Sequence, residues 1–235
     1  MRRNIRTDRR TRTEHPVTST HHAQLLHAWF SPAMPTGAYT YSHGLEAAIA
    51  IDQVHDAHSL GDWIERVLLR GSGFNELCLI AAAWRAAHRE DRDELDAVDA
   101  LARALVPGRE RLLESLVQGQ AFARAAAVWV PDTDSRERML PVTIGAMAAA
   151  AELPLAAVLS AAGQSFATNI VWIGARLIPV GQQQALGVVA RLLPGIYATA
   201  ERARVSSLAE IGSATPLADL ASIRHESLPS RICSS

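Results

Sequence analysis

The sequence predicts an all-α fold, a single helical bundle-like domain with flexible N- and C-terminal segments, and three observations carry that reading. Ala and Leu recur in runs while aromatic residues make up only 5% of the 235 positions. Small and straight-chain residues suit closely approaching helices, whereas sheets favour Val, Ile, Tyr and Thr. Apolar residues return at three- and four-residue spacing along most of the chain, and no run shows the period-two alternation of a half-buried strand. Finally, the composition is 49% hydrophobic and 20% charged, which is ordinary for a globular chain. A chain of this length buries roughly 70% of its unfolded surface, so its core needs neither disulfide nor metal.

The elements follow in order. Residues 1–18 read as a disordered, Arg-rich leader. A first helix runs from about Thr20 to Phe30, with Leu25, Leu26, Trp29 and Phe30 on one face, and Ser31-Pro32 stops it. Pro32 to Tyr41 reads as an ordered loop, and a short helix begins near Ser42. Ser59 is the expected N-cap of the next helix, with Asp62 three residues on; Gly71-Ser72-Gly73 breaks it, and a helix resumes over Phe74–Glu90. Further helices are expected over Glu94–Val106, Arg109–Val130, Leu140–Glu152 and Pro154–Ile178. Pro154 suits a first helical turn. The last runs from Gln182 to about Val205 with a kink at Pro194-Gly195. The globular domain thus covers 19–205, and 206–235 reads as a tail whose order depends on partners.

Charge and cysteine usage exclude several classes. The net charge is −1, so there is no global field for nucleic acid. All 23 basic residues are Arg, which leaves no lysine for a Schiff base or a P-loop. Residues 1–12 hold six arginines against Asp8, but no apolar stretch follows them as in a secretion signal. The leader's second reading is an arm on an anionic surface such as RNA. Cys78 and Cys233 match no metal or redox spacing; they read as reduced thiols of a cytoplasmic protein, and one disulfide is the alternative. Leu153 to Ala175 carries no charge and is long enough to cross a bilayer. Ser160, Gln164, Ser165, Thr168 and Asn169 load it with polar groups, so it reads as a helix buried among helices, not a membrane span.

Nothing in the sequence spells a catalytic centre. There is no GxxxxGK[ST], HExxH or GxSxG, and the nine histidines read as surface or turn residues, with weak divalent-ion binding at His55 and His58 as the other reading. Ser42-His43 is the one adjacent nucleophile–base pair, and a small-molecule hydrolase built on it is the rival from another class. What stands out is the segment Ser31 to Glu46. It holds Tyr39 and Tyr41, two of the three tyrosines, stiffened by Pro32 and Pro35 and opened by Gly37 and Gly44. A rigid ring with a polar tip on a low-entropy loop suits a contact surface, and equally a packing loop.

That segment, Ser-Pro-x-x-Pro-x-Gly-Ala-Tyr-x-Tyr-Ser-His-Gly-Leu-Glu, closely resembles the N-terminal motif of the UreF family of urease accessory proteins. Arg176-Leu177-Ile178-Pro179-Val180-Gly181-Gln182 resembles the family's helix-ending motif, and Pro216 to Glu226 resembles its tail. One departure is plain: Leu228-Pro229-Ser230-Arg231-Ile232-Cys233 replaces the family's Tyr-Ser-Arg-Leu-Phe-like end, losing its aromatic anchors. The resemblance implies a cytoplasmic, non-catalytic all-α homodimer with no cofactor of its own. It would bridge UreD (UreH) and the nickel-carrying GTPase UreG, and the assembly would engage apo-urease so that Ni²⁺ and carbon dioxide complete its active site. It also implies partner-binding residues: Pro35, Gly37, Tyr39, Tyr41, Ser42, His43, Glu46, Arg224, His225, Glu226 and Arg231. Tyr41 and Arg231 would face UreG, and Ser222 to Arg231 would order on UreD.

Overall fold

The computed structural model describes residues 16–38, 41–131, 136–228 and 231–233. Among the described residues there are ten α-helices, a 3-10 turn after the ninth, and no strand. They are α1 (Pro16–Trp29), α2 (Leu45–Ala50), α3 (Ala57–Arg70), α4 (Ser72–His88), α5 (Arg92–Leu105), α6 (Arg109–Ala126), α7 (Leu140–Ala150), α8 (Leu155–Leu177), α9 (Gln182–Val205) and α10 (Pro216–His225), with the 3-10 turn at Leu208–Glu210. The predicted all-α class holds. The leader to residue 15 lies outside the described residues.

α4 is the central element. Its apolar residues repeat on every side, and Phe74, Leu77, Cys78, Leu79, Ile80 and Ala81–Ala83 are all buried. Such a helix cannot lie on a surface. It packs against α3, α5, α7, α8 and α9. One core gathers Leu25, Trp29, Phe122, Ile144 and Leu159 around its middle. A second joins α2 and α3 to α8 and α9 through Leu45, Leu60, Ile64, Ile170 and Ile196. A third joins α4 to α5 and α7 through Ala83, Leu95, Val98 and Val142. α8 is the one described helix long and apolar enough to cross a membrane. Its Val158, Leu159, Ile170, Val171 and Ile173 instead fill the first two cores.

Several boundaries shift for local reasons. α1 starts at Pro16, a residue well suited to a first turn. α3 is capped three residues earlier than the sequence reading placed it. The Asp56 carboxylate accepts from Ser59 N–H at 2.7 Å, and the Ser59 hydroxyl accepts from Asp56 N–H at 3.1 Å. Ser59 is thus the third residue of a reciprocal cap and not its N-cap. Gly71 alone separates α3 from α4. α6 ends at Ala126, four residues short, and α9 runs through Pro194 as one helix.

The segment after α9 folds back over the bundle. Arg85 donates to the carbonyls of Arg204 and Ser206 where α9 ends. Ala214 N–H donates to Arg70 O at 2.9 Å, which lays the chain along the end of α3. α10 then packs against α2. Gly44 allows this approach: its φ of +79° is the left-handed region, and a β-carbon there would sit 2.8 Å from Ser222 N.

Candidate functional site

The Ser31–Glu46 segment starts as the cap of α1. The Ser31 hydroxyl donates to Ala28 O at 3.0 Å and accepts from Ala33 N–H at 3.3 Å. Met34 is buried while Pro32, Ala33 and Pro35 are exposed. Gly37 takes φ +73° with nothing within 4 Å of a would-be β-carbon, so the turn and not crowding requires glycine there. Tyr39 lies outside the described residues. Tyr41 is half-buried, and its N–H donates to Ala38 O. His43 at φ +53° and Gly44 then form a left-handed pair that swings the chain into α2.

The turn splits Ser42 from His43. The Ser42 hydroxyl has no solvent exposure and accepts from Glu46 N–H at 3.3 Å, capping α2. The His43 ring points away, into the bundle, with its edge on Phe166 at 4.8 Å between centroids and its Nε2 3.8 Å from Glu114 Oε1. A nucleophile must meet its substrate, and this hydroxyl is committed and covered. The pair does not have the geometry that a hydrolase built on Ser42 and His43 needs.

Glu46 connects the two ends of the sequence. Its Oε1 accepts from Ile232 N–H at 2.7 Å, and its Oε2 from Cys233 N–H at 2.9 Å and from His225 Nε2 at 3.0 Å. His225, fully buried, reaches Glu110 Oε2 with its other nitrogen at 2.9 Å. The ring thus lies between two carboxylates, one at each nitrogen. Glu110 also pairs with Arg231, and its own N–H donates to Glu226 Oε1 at 3.1 Å, which caps α6. One chain of charged groups thus ties α2, α6, α10 and residues 231–233 together. Burial pushes the Glu46 carboxyl up, but the Ile232 and Cys233 N–H groups and His225 together bring it below its usual value.

Beneath His43 lies a second polar cluster. Arg111 pairs with Glu114 and, at 3.1 Å, with Glu76; Gln118 donates to Glu114 Oε1 at 3.0 Å. Burial, helped by the Arg111 charge, drives His43 well below its ordinary range, so the ring is neutral near pH 7. Burial raises Glu76 to about 7, with Arg111 opposing and Glu114 reinforcing. Arg111 stays charged because its two carboxylates outweigh its burial.

The structure brings Ser42, Glu46, His225, Glu226 and Arg231 together around Glu46 and Glu110, while His43 turns away from them. Glu46 and His225 face inward and hold the fold. Arg224, Glu226 and Arg231 are exposed, and so are Ile223 and Ile232. Glu110, Arg111, Glu114 and Glu76 were not singled out from sequence, where Arg111 and Glu114 look like a surface pair three apart on a helix. Among the described residues no three His, Cys, Asp or Glu side chains converge as a metal site. Cys78 and Cys233 are both free and buried; burial pushes their thiols up to about 12 and about 11.

These features define an all-helical protein whose described polar chemistry is largely engaged in fixing its own loop and tail in place. The model of the UreF family matches residues 54–193. The urease accessory protein UreF of Rhodopseudomonas palustris strain BisA53 is 43% identical over 215 residues, covering 88% of this chain and 90% of that one. The protein of the same name from Brucella ovis is 39% identical over 222 residues, covering 92% and 96%. The chain belongs to the UreF family of urease accessory proteins.

Proposed function

We propose that this protein is a non-catalytic scaffold for urease maturation in the cytoplasm. In this reading it works as a homodimer that bridges UreD (UreH) and the GTPase UreG, and the assembly loads Ni²⁺, as cargo, into apo-urease. One observation supports it beyond family membership. The two segments that resemble the family's end motifs, about 180 residues apart, meet at Glu46. The inner residues of this junction, Ser42, Glu46 and His225, hold it in shape. The outer ones are available to a partner: Pro35, Arg224, Glu226, Arg231 and the apolar Ile223 and Ile232. Exposed apolar side chains beside arginines suit a protein contact. Gly37, Tyr39, Tyr41 and His43 belong to the same reading as members of the loop, and contact between 222–231 and UreD belongs to it as well.

The test is co-expression with UreD and UreG from the same source, followed by size exclusion with mass detection. A complex of all three is expected. Arg231→Ala and Tyr41→Ala should weaken UreG recruitment while leaving the melting temperature and UreD binding intact. A chain that stays alone beside folded UreD and UreG refutes the bridging role.

A further inference from the structure

Between α1, α4, α6, α7 and α8 lies a cavity of about 100 Å³ that the partner surface does not use. One water needs roughly 10–15 Å³ of such space, so this one has room for a molecule of several heavy atoms. Its wall has two characters. Phe30, Leu77, Ile80, Phe122, Ile144 and Phe166 make one part apolar. Glu76, Arg111 and Glu114 stand on the other, where Arg111 is bound to both carboxylates.

Two further wall residues carry polar atoms that no other described group satisfies. Trp29 is 2% exposed, and its buried indole N–H has no hydrogen-bond partner. An indole nitrogen only donates. The Nδ1 of His43 is also buried and also without a partner. Burial keeps this ring neutral near pH 7, so it holds one proton and one lone pair. Its Nε2 lies 3.8 Å from Glu114 Oε1, and a carboxylate favours the proton on the nitrogen that faces it. Nδ1 is thereby left as an acceptor. A buried donor and a buried acceptor each cost free energy while unmade, and both belong to side chains of one cavity wall.

We propose that this cavity is a binding site for a small neutral hydroxyl compound, of the short-chain alcohol or diol class. One donor and one acceptor, with no charge on either, select a neutral molecule that both accepts and donates. A hydroxyl oxygen accepts from the Trp29 indole, and a hydroxyl hydrogen goes to His43 Nδ1; a diol serves the two atoms with separate groups. The carbon chain lies against the phenylalanines and aliphatic side chains, which gain from burying it. The site is independent of the partner surface proposed above, and its test needs no partner.

The test is NMR of the full chain, labelled with ¹⁵N at tryptophan and titrated with 1,2-propanediol near pH 7. The indole signal of Trp29, assigned by its loss in Trp29→Phe, should move saturably with a midpoint on the order of 10 mM, as suits a ligand of about five heavy atoms. Trp63 is the internal control: its indole N–H is also buried and unpartnered, but it does not wall the cavity, so its signal should stay in place. Filling the cavity from α8 with Ala162→Leu, or from α7 with Ile144→Phe, should raise the midpoint at least tenfold. The two variants load different helices, so one that fails to fold leaves the other. A crystal soaked in the diol should show it within hydrogen-bond reach of Trp29 Nε1. A Trp29 signal that stays still, or that drifts without saturating as Trp63 does, overturns the proposal. So does saturation that survives in the filled variants, or a soaked cavity that holds water only.

Discussion

Replacing Glu46 by Gln keeps the side chain's size and removes its charge. Both carboxylate oxygens accept: one from Ile232 N–H, the other from Cys233 N–H and His225. Gln presents one oxygen and one NH₂, so a donor must now face a donor. The cheaper orientation turns the NH₂ toward Ile232. That loses one hydrogen bond to a charged group, about 2 kcal/mol. The other two bonds become neutral and lose about 1 kcal/mol together. The attachment of residues 231–233 should therefore weaken by about 3 kcal/mol, roughly a 100-fold rise in its opening. Residues 231–233 lie beyond the last described helix, so the effect should fall on the tail and not on the bundle. Hydrogen exchange of the C-terminal peptide should show the 100-fold loss while peptides from α4 and α7 stay protected. Acid should do the same to the wild type: the Glu46 carboxyl lies below its usual value when folded, so its contribution is present above the unfolded value and disappears as pH falls through the folded one. Unchanged protection at residues 231–233 in Glu46→Gln, or loss spread evenly over the bundle, would refute the reasoning.

Three further outcomes are expected. Gly44→Ala forces a β-carbon into a left-handed turn and onto Ser222 N at 2.8 Å and Ser222 Oγ at 2.9 Å. It should destabilise the chain by about 3 kcal/mol in urea titration, with α10 the first segment to lose protection. Wild-type stability should fall as pH rises from 4.5 to about 7, because folded Glu76 holds its proton longer than the unfolded chain does. The difference from Glu76→Gln in denaturant titrations across that window should reach about 3 kcal/mol. Neither thiol should react with a disulfide reagent at about pH 8 in the native protein, since both are buried and raised. Glu46→Gln should release Cys233 to the reagent and leave Cys78 silent.

The helices were legible because apolar spacing is a local signal, and α7, α8 and α9 stand within a few residues of their sequence-based limits. The cap of α3 was less so. Asp56 and Ser59 both suit an N-cap, and only backbone conformation decides between them. The loop and tail motifs were visible as unusual residue strings, yet their meeting at Glu46 was not, since a carboxylate carries no mark of what it will face. Arg111, Glu114 and Glu76 went unseen for the same reason. On a helix they resemble solvated charges, and their burial follows from how α4 and α6 are placed.

The seam between α4 and α7 shapes how this protein can diverge. A β-carbon at Gly145 would fall 2.5 Å from Ile80 O and 2.8 Å from the Ala83 methyl, so the two backbones are in near contact. Any side chain at 145 must push one helix off the other, and the cores on both sides of α4 would feel it. The outer stripe of α9, where Leu186, Leu193 and Tyr197 stand exposed, has no such constraint. A substitution at Gly145 should therefore cost far more stability than one at Leu186, Leu193 or Tyr197. The outer stripe can change what it touches while the inner frame stays the same.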